Sequence, residues 1–112
     1  MQTRERLAQL RALSKKFAKA KSQMIYLDHF RKSKLAILKG QFAEKNPDWS
    51  NVKCDDAARS HSEYIELLQG WKEAIEFSEA AYWELSIARD GIKLYQTERA
   101  DRRSELENLH GE

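Results

Sequence analysis

The chain has 112 residues, of which 34% are charged and 10% aromatic, with four glycines, one proline and one cysteine. That length suits one domain with a modest core, and the composition argues against a disordered chain and a β-sandwich; so few glycines and prolines also leave little material for catalytic loops or a glycine-rich phosphate cradle. The net charge of +2 hides a split, because residues 1–45 carry +9 and residues 46–112 carry −7, which suits either a basic helix lying against an acidic one or a basic end that meets nucleic acid.

In chain order, Thr3 can cap a first helix over about 3–45, with Arg4, Glu5 and Arg6 in its opening turn. Leu7, Leu10, Leu13, Phe17, Ala20, Met24 and Leu27 follow at steps of three or four, the spacing of an amphipathic helix face. The apolar stripe is then expected to continue through Phe30, Ile37, Leu38 and Phe42. Its spacing slips after Leu27, since Arg31 and Lys34 fall at the next positions, and such a slip rotates a stripe around its helix. With no glycine or proline before Gly40, one continuous helix is favoured over two. Residues 1–22 are nearly all positive and poor in apolar side chains, so this segment is expected to be mobile unless it packs on a partner.

Asn46-Pro47-Asp48 is the strongest turn signal in the chain. A connection is predicted over about 46–55, with Trp49 and Val52 folding back to seal the helix ends. The second helix is predicted over about 56–108, starting near Asp55 or Asp56, or at Ser60, where Ser60-His61-Ser62-Glu63 fits a capping box. Its organising stripe is Tyr64, Leu67, Trp71, Ala74, Ser78, Ala81, Leu85, Ala88, Ile92 and Tyr95, widened by Leu68, Ile75 and Tyr82. Glu98 and Arg102 stand four apart in the favourable order for a pair. Leu106 and Leu109 restart a weak stripe ahead of a frayed end at Gly111. Gly70 and Gly91 inside the helix read either as close helix approach or as local softness.

The predicted fold is therefore all-α: a single domain, 1–112, forming a long antiparallel helical hairpin. Ile65, Trp83, Ile87 and Leu94 lie outside the stripe and need more cover than one helix supplies, which points to a dimeric four-helix bundle or a higher oligomer. The residues expected at helix packing or the oligomer interface are Tyr64, Leu67, Leu68, Trp71, Ile75, Tyr82, Trp83, Leu85 and Ile92. Cys54 stands alone, so no intrachain disulfide forms, and a reducing compartment is the natural reading. The opening residues lack the apolar core of a secretory signal, and no run approaches the ~18–20 apolar residues of a membrane span. A cytoplasmic protein without membrane contact is expected.

Little in the chain carries catalytic chemistry. Cys54 has Lys53 beside it and His61 seven residues on, but no oxyanion loop accompanies it. His29, His61 and His110 have no metal-ligand spacing, and Glu-x-x-His occurs once, at Glu107 and His110, where di-iron bundles need two copies. Glu63 and Glu66, and then Glu73, Glu76 and Glu79, read as a solvated acidic ridge or a docking strip for the basic helix. No enzyme, metal or cofactor is predicted. For nucleic acid, Arg4, Arg11, Lys15, Lys16 and Lys19 spread along the first helix, and Arg31, Lys32 and Lys34 form a second cluster. Basic residues so spaced can follow phosphates, although no base-reading motif accompanies them.

Two segments carry a resemblance. Tyr26-Leu27-Asp28-His29-Phe30-Arg31-Lys32-Ser33 fits the pattern Tyr-Leu-x-x-Phe-Arg-Lys-Ser, and Tyr64 through Ala74 fits Tyr-x-x-Leu-Leu-x-Gly-x-x-x-Ala. Together with Trp83, Ala88, Ile92, Tyr95, Gln96 and Thr97 they resemble small all-helical proteins encoded by phages and prophages near recombination and replication genes. The resemblance covers roughly residues 20–103; Trp71 and Tyr95 depart from it, as does the connection over 46–56. It implies a non-enzymatic accessory role in a host bacterial cell and carries over no catalytic residue. The expected partners are a second copy and a phage or host protein, with sequence-independent nucleic-acid binding through the first helix as the alternative.

Overall fold

The computed structural model describes residues 3–110, without the side chain of His110; Gly111 and the imidazole of the Glu107–His110 pair thus lie outside the described residues. The fold is all-helical. Three helices follow one another, α1 (Thr3–Lys45), α2 (Asn51–Arg59) and α3 (Ser62–His110), and no strand occurs among the described residues. None of the helices is long and apolar enough to cross a membrane. The chain packs as two compact units, one joining the residues up to Phe17 with those from Ala80 onward, the other comprising Ala18–Glu79.

The 18–79 unit holds all of α2. Its core is Leu38, Ala58 and Tyr64, each at most 2% exposed, with Leu35, Phe42 and Leu68 packed around them. The α1 stripe reaches this core without slipping. Met24, Leu27, Arg31, Lys34, Leu38 and Phe42 lie at steps of three and four, and all are buried or half-buried. Arg31 and Lys34 thus occupy inward positions, whereas Phe30 and Ile37, expected on the stripe, are about half exposed. The reason is physical: an arginine or lysine stem packs like a hydrocarbon if the charged tip finds a partner. Phe30 instead stacks on Tyr26 along the outer side of α1, with ring centroids 5.9 Å apart.

After α1 the chain turns where Asn46-Pro47-Asp48 predicts. The Asn46 N–H and Nδ2 both donate to the Phe42 carbonyl, at 2.9 and 3.1 Å, and the Trp49 N–H donates to the Asn46 carbonyl at 3.0 Å. Trp49 stacks on Phe42 with centroids 6.0 Å apart and takes the Lys53 ammonium 4.6 Å from its ring. Val52, expected to seal the helix ends with it, is 71% exposed.

The connection expected over 46–55 is shorter than that, because α2 begins at Asn51. Ser50, in extended backbone, caps it by accepting from the Lys53 N–H at 3.1 Å. Cys54, Ala57 and Ala58, spaced three and four apart, form its inward face. The second long helix starts later than 56, at Ser62. Ser60 ends α2: its backbone N–H and Oγ both donate to the Asp56 carbonyl. The α3 cap is His61, whose Nδ1 accepts from the Glu63 N–H at 3.1 Å, so the Ser60 capping box does not form. His61 also stands edge-on to Phe42, with centroids 6.2 Å apart.

In the other unit Ala81 and Leu85 are buried, and Leu10, Leu13, Phe17, Ala88, Ile92 and Tyr95 are half-buried. Phe17 and Tyr82 meet at 5.6 Å between centroids, and Lys16 pairs with Glu84 at 3.1 Å.

Candidate functional site

The chemistry of this chain lies in its charges and its uncovered apolar side chains. The basic residues singled out from the sequence divide into two groups. Arg4, Arg11, Lys15 and Lys19 are exposed on α1, and no ion pair engages them among the described residues. Lys16 is committed to Glu84.

The second group turns back into the fold. Arg31 Nη2 lies 2.7 Å from Asp28 Oδ1, and the guanidinium sits 4.0 Å over the centre of the Trp71 ring. Lys32 reaches the other Asp28 oxygen at 3.5 Å, and Lys34 contacts Glu63 at 2.6 Å. Burial alone would raise the Asp28 pKa, but the charges of Lys32 and Arg31 outweigh it and hold the carboxyl below its usual value. Glu63 is likewise lowered, chiefly by its hydrogen bond from Lys34. Asp55 is lowered by Arg59, at 2.8 Å, against some desolvation, with help from Lys39 at 3.3 Å. Arg31, Lys34 and Lys39 thus tie α1 to the rest of the 18–79 unit, whereas Lys32 pairs within its own helix and stays exposed.

The predicted packing residues also divide. Tyr64 and Leu85 are buried, and Leu67, Leu68, Trp71, Ile75 and Ile92 are half-buried. Tyr82 and Trp83 are exposed, and so are Ile87 and Leu94. Trp83, Ile87 and Leu94 stand at steps of four and seven, on one face of α3. Ile65 is exposed in the 18–79 unit.

Four arginines form a group that the sequence reading did not single out as a site. Arg4 of α1 and Arg99, Arg102 and Arg103 of α3 line an open cavity of about 650 Å³ together with Thr3, Tyr95 and Leu106. Among the described residues no carboxylate lines it. The expected Glu98–Arg102 pair is not among the ion pairs of the described residues. The signal was present, because Tyr95, Arg99, Arg102, Arg103 and Leu106 recur at helical spacing on one face. Arg6 and Arg99 both lie against the Tyr95 ring, at 4.2 and 5.8 Å from its centre.

Cys54 is 4% exposed, inside the 18–79 unit. Among the described residues no three His, Cys, Asp or Glu side chains group as a metal would need. A Cβ built on Gly70 or Gly91 would meet nothing within 4 Å, so neither glycine serves close helix approach inside the chain. Compared with protein-family models, curated proteins and solved structures, the chain matches none.

Proposed function

We propose that this chain is a non-enzymatic interaction protein that works as an assembly of its own copies. The observation that carries the reading is the exposed row Trp83, Ile87 and Leu94 on one face of α3. Such a row costs solubility in a lone chain and marks a surface that another protein covers. Within the 18–79 unit, Arg31 meets Trp71 and Lys34 meets Glu63. Within the other unit, Arg6 meets Tyr95 and Lys16 meets Glu84. In each, later α1 residues pair with earlier α3 residues, which supports an antiparallel hairpin. Two hairpins that lay these rows together form a four-helix bundle, and the opposite charges of residues 1–45 and 46–112 favour the pairing of like copies.

The resemblance of Tyr26–Ser33 and Tyr64–Ala74 to phage and prophage proteins supports, as part of this proposal, an accessory role to DNA recombination or replication in a bacterial host cytoplasm, with a phage or host protein as further partner. Light scattering tests the assembly directly: a dimer or larger is expected, and a monomer at every concentration overturns it. The second reading is sequence-independent binding of nucleic acid through α1, favoured by the exposure of Arg4, Arg11, Lys15 and Lys19. It predicts a gel shift that weakens steeply as salt rises and disappears when Arg11, Lys15 and Lys19 become Glu.

A further inference from the structure

We infer that the cavity between Arg4 and the Arg99–Arg103 turn of α3 binds a group of linked phosphates, such as the triphosphate of a nucleotide or free polyphosphate. The inference does not rest on the assembly of copies.

The argument begins with charge. Arg4, Arg99, Arg102 and Arg103 converge on one space of about 650 Å³, and the side chains that complete its lining, Thr3, Tyr95 and Leu106, carry no negative charge. A guanidinium stays protonated at every pH a cell reaches, so these residues cannot relieve their mutual repulsion by losing a proton. In the 18–79 unit, by contrast, Arg31 and Lys32 share Asp28, and Arg59 and Lys39 share Asp55. No ion pair engages these four among the described residues. Four fixed positive charges around a cavity that no described carboxylate lines are a field that an anion neutralises.

The chemistry of the donors then narrows the anion. Each guanidinium offers a planar fork that matches two oxygens of a phosphate or carboxylate. A lone carboxylate would offset one charge in four. A chain of three phosphates carries about four negative charges at neutral pH, since each terminal phosphate bears roughly −1.5 to −2. It also presents oxygens on several sides, so forks arriving from two helices can be used together. The volume falls in the ~300–1,000 Å³ range of small-molecule sites. Tyr95 forms one wall, with Arg6 4.2 Å over its ring and Arg99 at its outer reach, 5.8 Å from the centre. Thr3 adds a hydroxyl donor.

The test is isothermal titration of the full chain with inorganic tripolyphosphate, ATP and orthophosphate in about 50 mM salt, where phosphate contacts are not screened out. Saturable binding of tripolyphosphate near one per chain is expected, with orthophosphate weaker by about tenfold or more because it engages fewer forks. ATP matching tripolyphosphate identifies the phosphates as the whole determinant; ATP binding more tightly adds a contact to the nucleoside, and both results support the site. Changing Arg102→Gln with Arg103→Gln weakens binding by about tenfold or more, and changing both to Lys, which keeps charge but loses the fork, falls between. Arg102 and Arg103 are both exposed, so circular dichroism should show an unchanged fold in either variant. Arg11→Gln with Lys15→Gln, which removes the same number of charges outside the cavity, costs clearly less than the Arg102 and Arg103 pair. The inference is overturned if tripolyphosphate shows no saturable binding, if the Gln pair binds like the parent, or if only the Arg11 and Lys15 changes abolish binding.

Discussion

Truncating Trp83 to Ala separates a covered α3 face from a bare one. The indole is 63% exposed and touches Tyr82, with ring centroids 5.5 Å apart and nearly perpendicular. A tryptophan carries roughly 200 Å² of surface, so about 130 Å² faces solvent in the single chain. If a second copy covers that area, its burial contributes ~3 kcal/mol per chain at ~25 cal/mol/Å², an upper figure because association also costs ordering. A symmetric pair loses this twice, so the dimer should dissociate at a concentration higher by up to about ten-thousandfold. If water covers the ring, the same change shifts stability by only about 0.5 kcal/mol, as exposed substitutions do. Sedimentation across a dilution series reads the difference, and thermal melts at two concentrations give a second measure, since an assembly melts higher when more concentrated. A parent chain whose melting ignores concentration, with a Trp83→Ala variant identical to it in mass and stability, would refute the covered face.

Leu38→Ala should destabilise the 18–79 unit by about 2–5 kcal/mol in urea unfolding, because Leu38 is 2% exposed against Ala58 and Tyr64. Gly91→Ala should stabilise the chain by about 0.5–1 kcal/mol, since no atom within 4 Å obstructs the new methyl group; destabilisation would mean that another chain packs on Gly91. The melting temperature should stay level from neutral pH to about 5 and fall below about 4. Asp28, Asp55 and Glu63 all have folded pKa values below their unfolded ones, so their stabilisation is present above the unfolded value near 4 and is lost as pH drops through the folded ones. Lys34→Met should flatten part of that fall by removing the chief cause of the Glu63 shift.

The all-helical class was legible from period and composition alone: stripes at steps of three and four, with few glycines and prolines, leave no other economical fold. Tyr64, Ser78, Ala81 and Leu85 are buried along the stripe that the α3 sequence displays. What stayed hidden involved polar residues in apolar roles. Counting only apolar positions, α1 loses its stripe after Leu27, because Arg31 and Lys34 occupy half-buried positions and meet Trp71 and Glu63 far along the chain, with Asp28 as a second partner of Arg31 on its own helix. The helix α2 was missed because it is only nine residues long, its one large apolar side chain, Val52, faces solvent, and its inward face is the small residues Cys54, Ala57 and Ala58. The Ser60 capping box was a sound local pattern, but Ser60 closes the helix before it and His61 opens the next. The arginine cavity could be half seen in the spacing of Arg99, Arg102 and Arg103; Arg4, the member from the other end of the chain, could not.

Arg31 and Lys34 bear on alignment as well as on stability. An all-leucine seam would let α1 slide by a turn, about 5.4 Å, with little loss, since one aliphatic contact replaces another. In the 18–79 unit such a slide would pull Arg31 off the Trp71 ring and leave Lys34 and Glu63 without each other, stranding charges at half-buried positions. The two cations work as a key in a lock, admitting one register of the helices and penalising its neighbours. Replacing both with leucine should therefore leave a helical chain of similar content whose helices settle in more than one alignment.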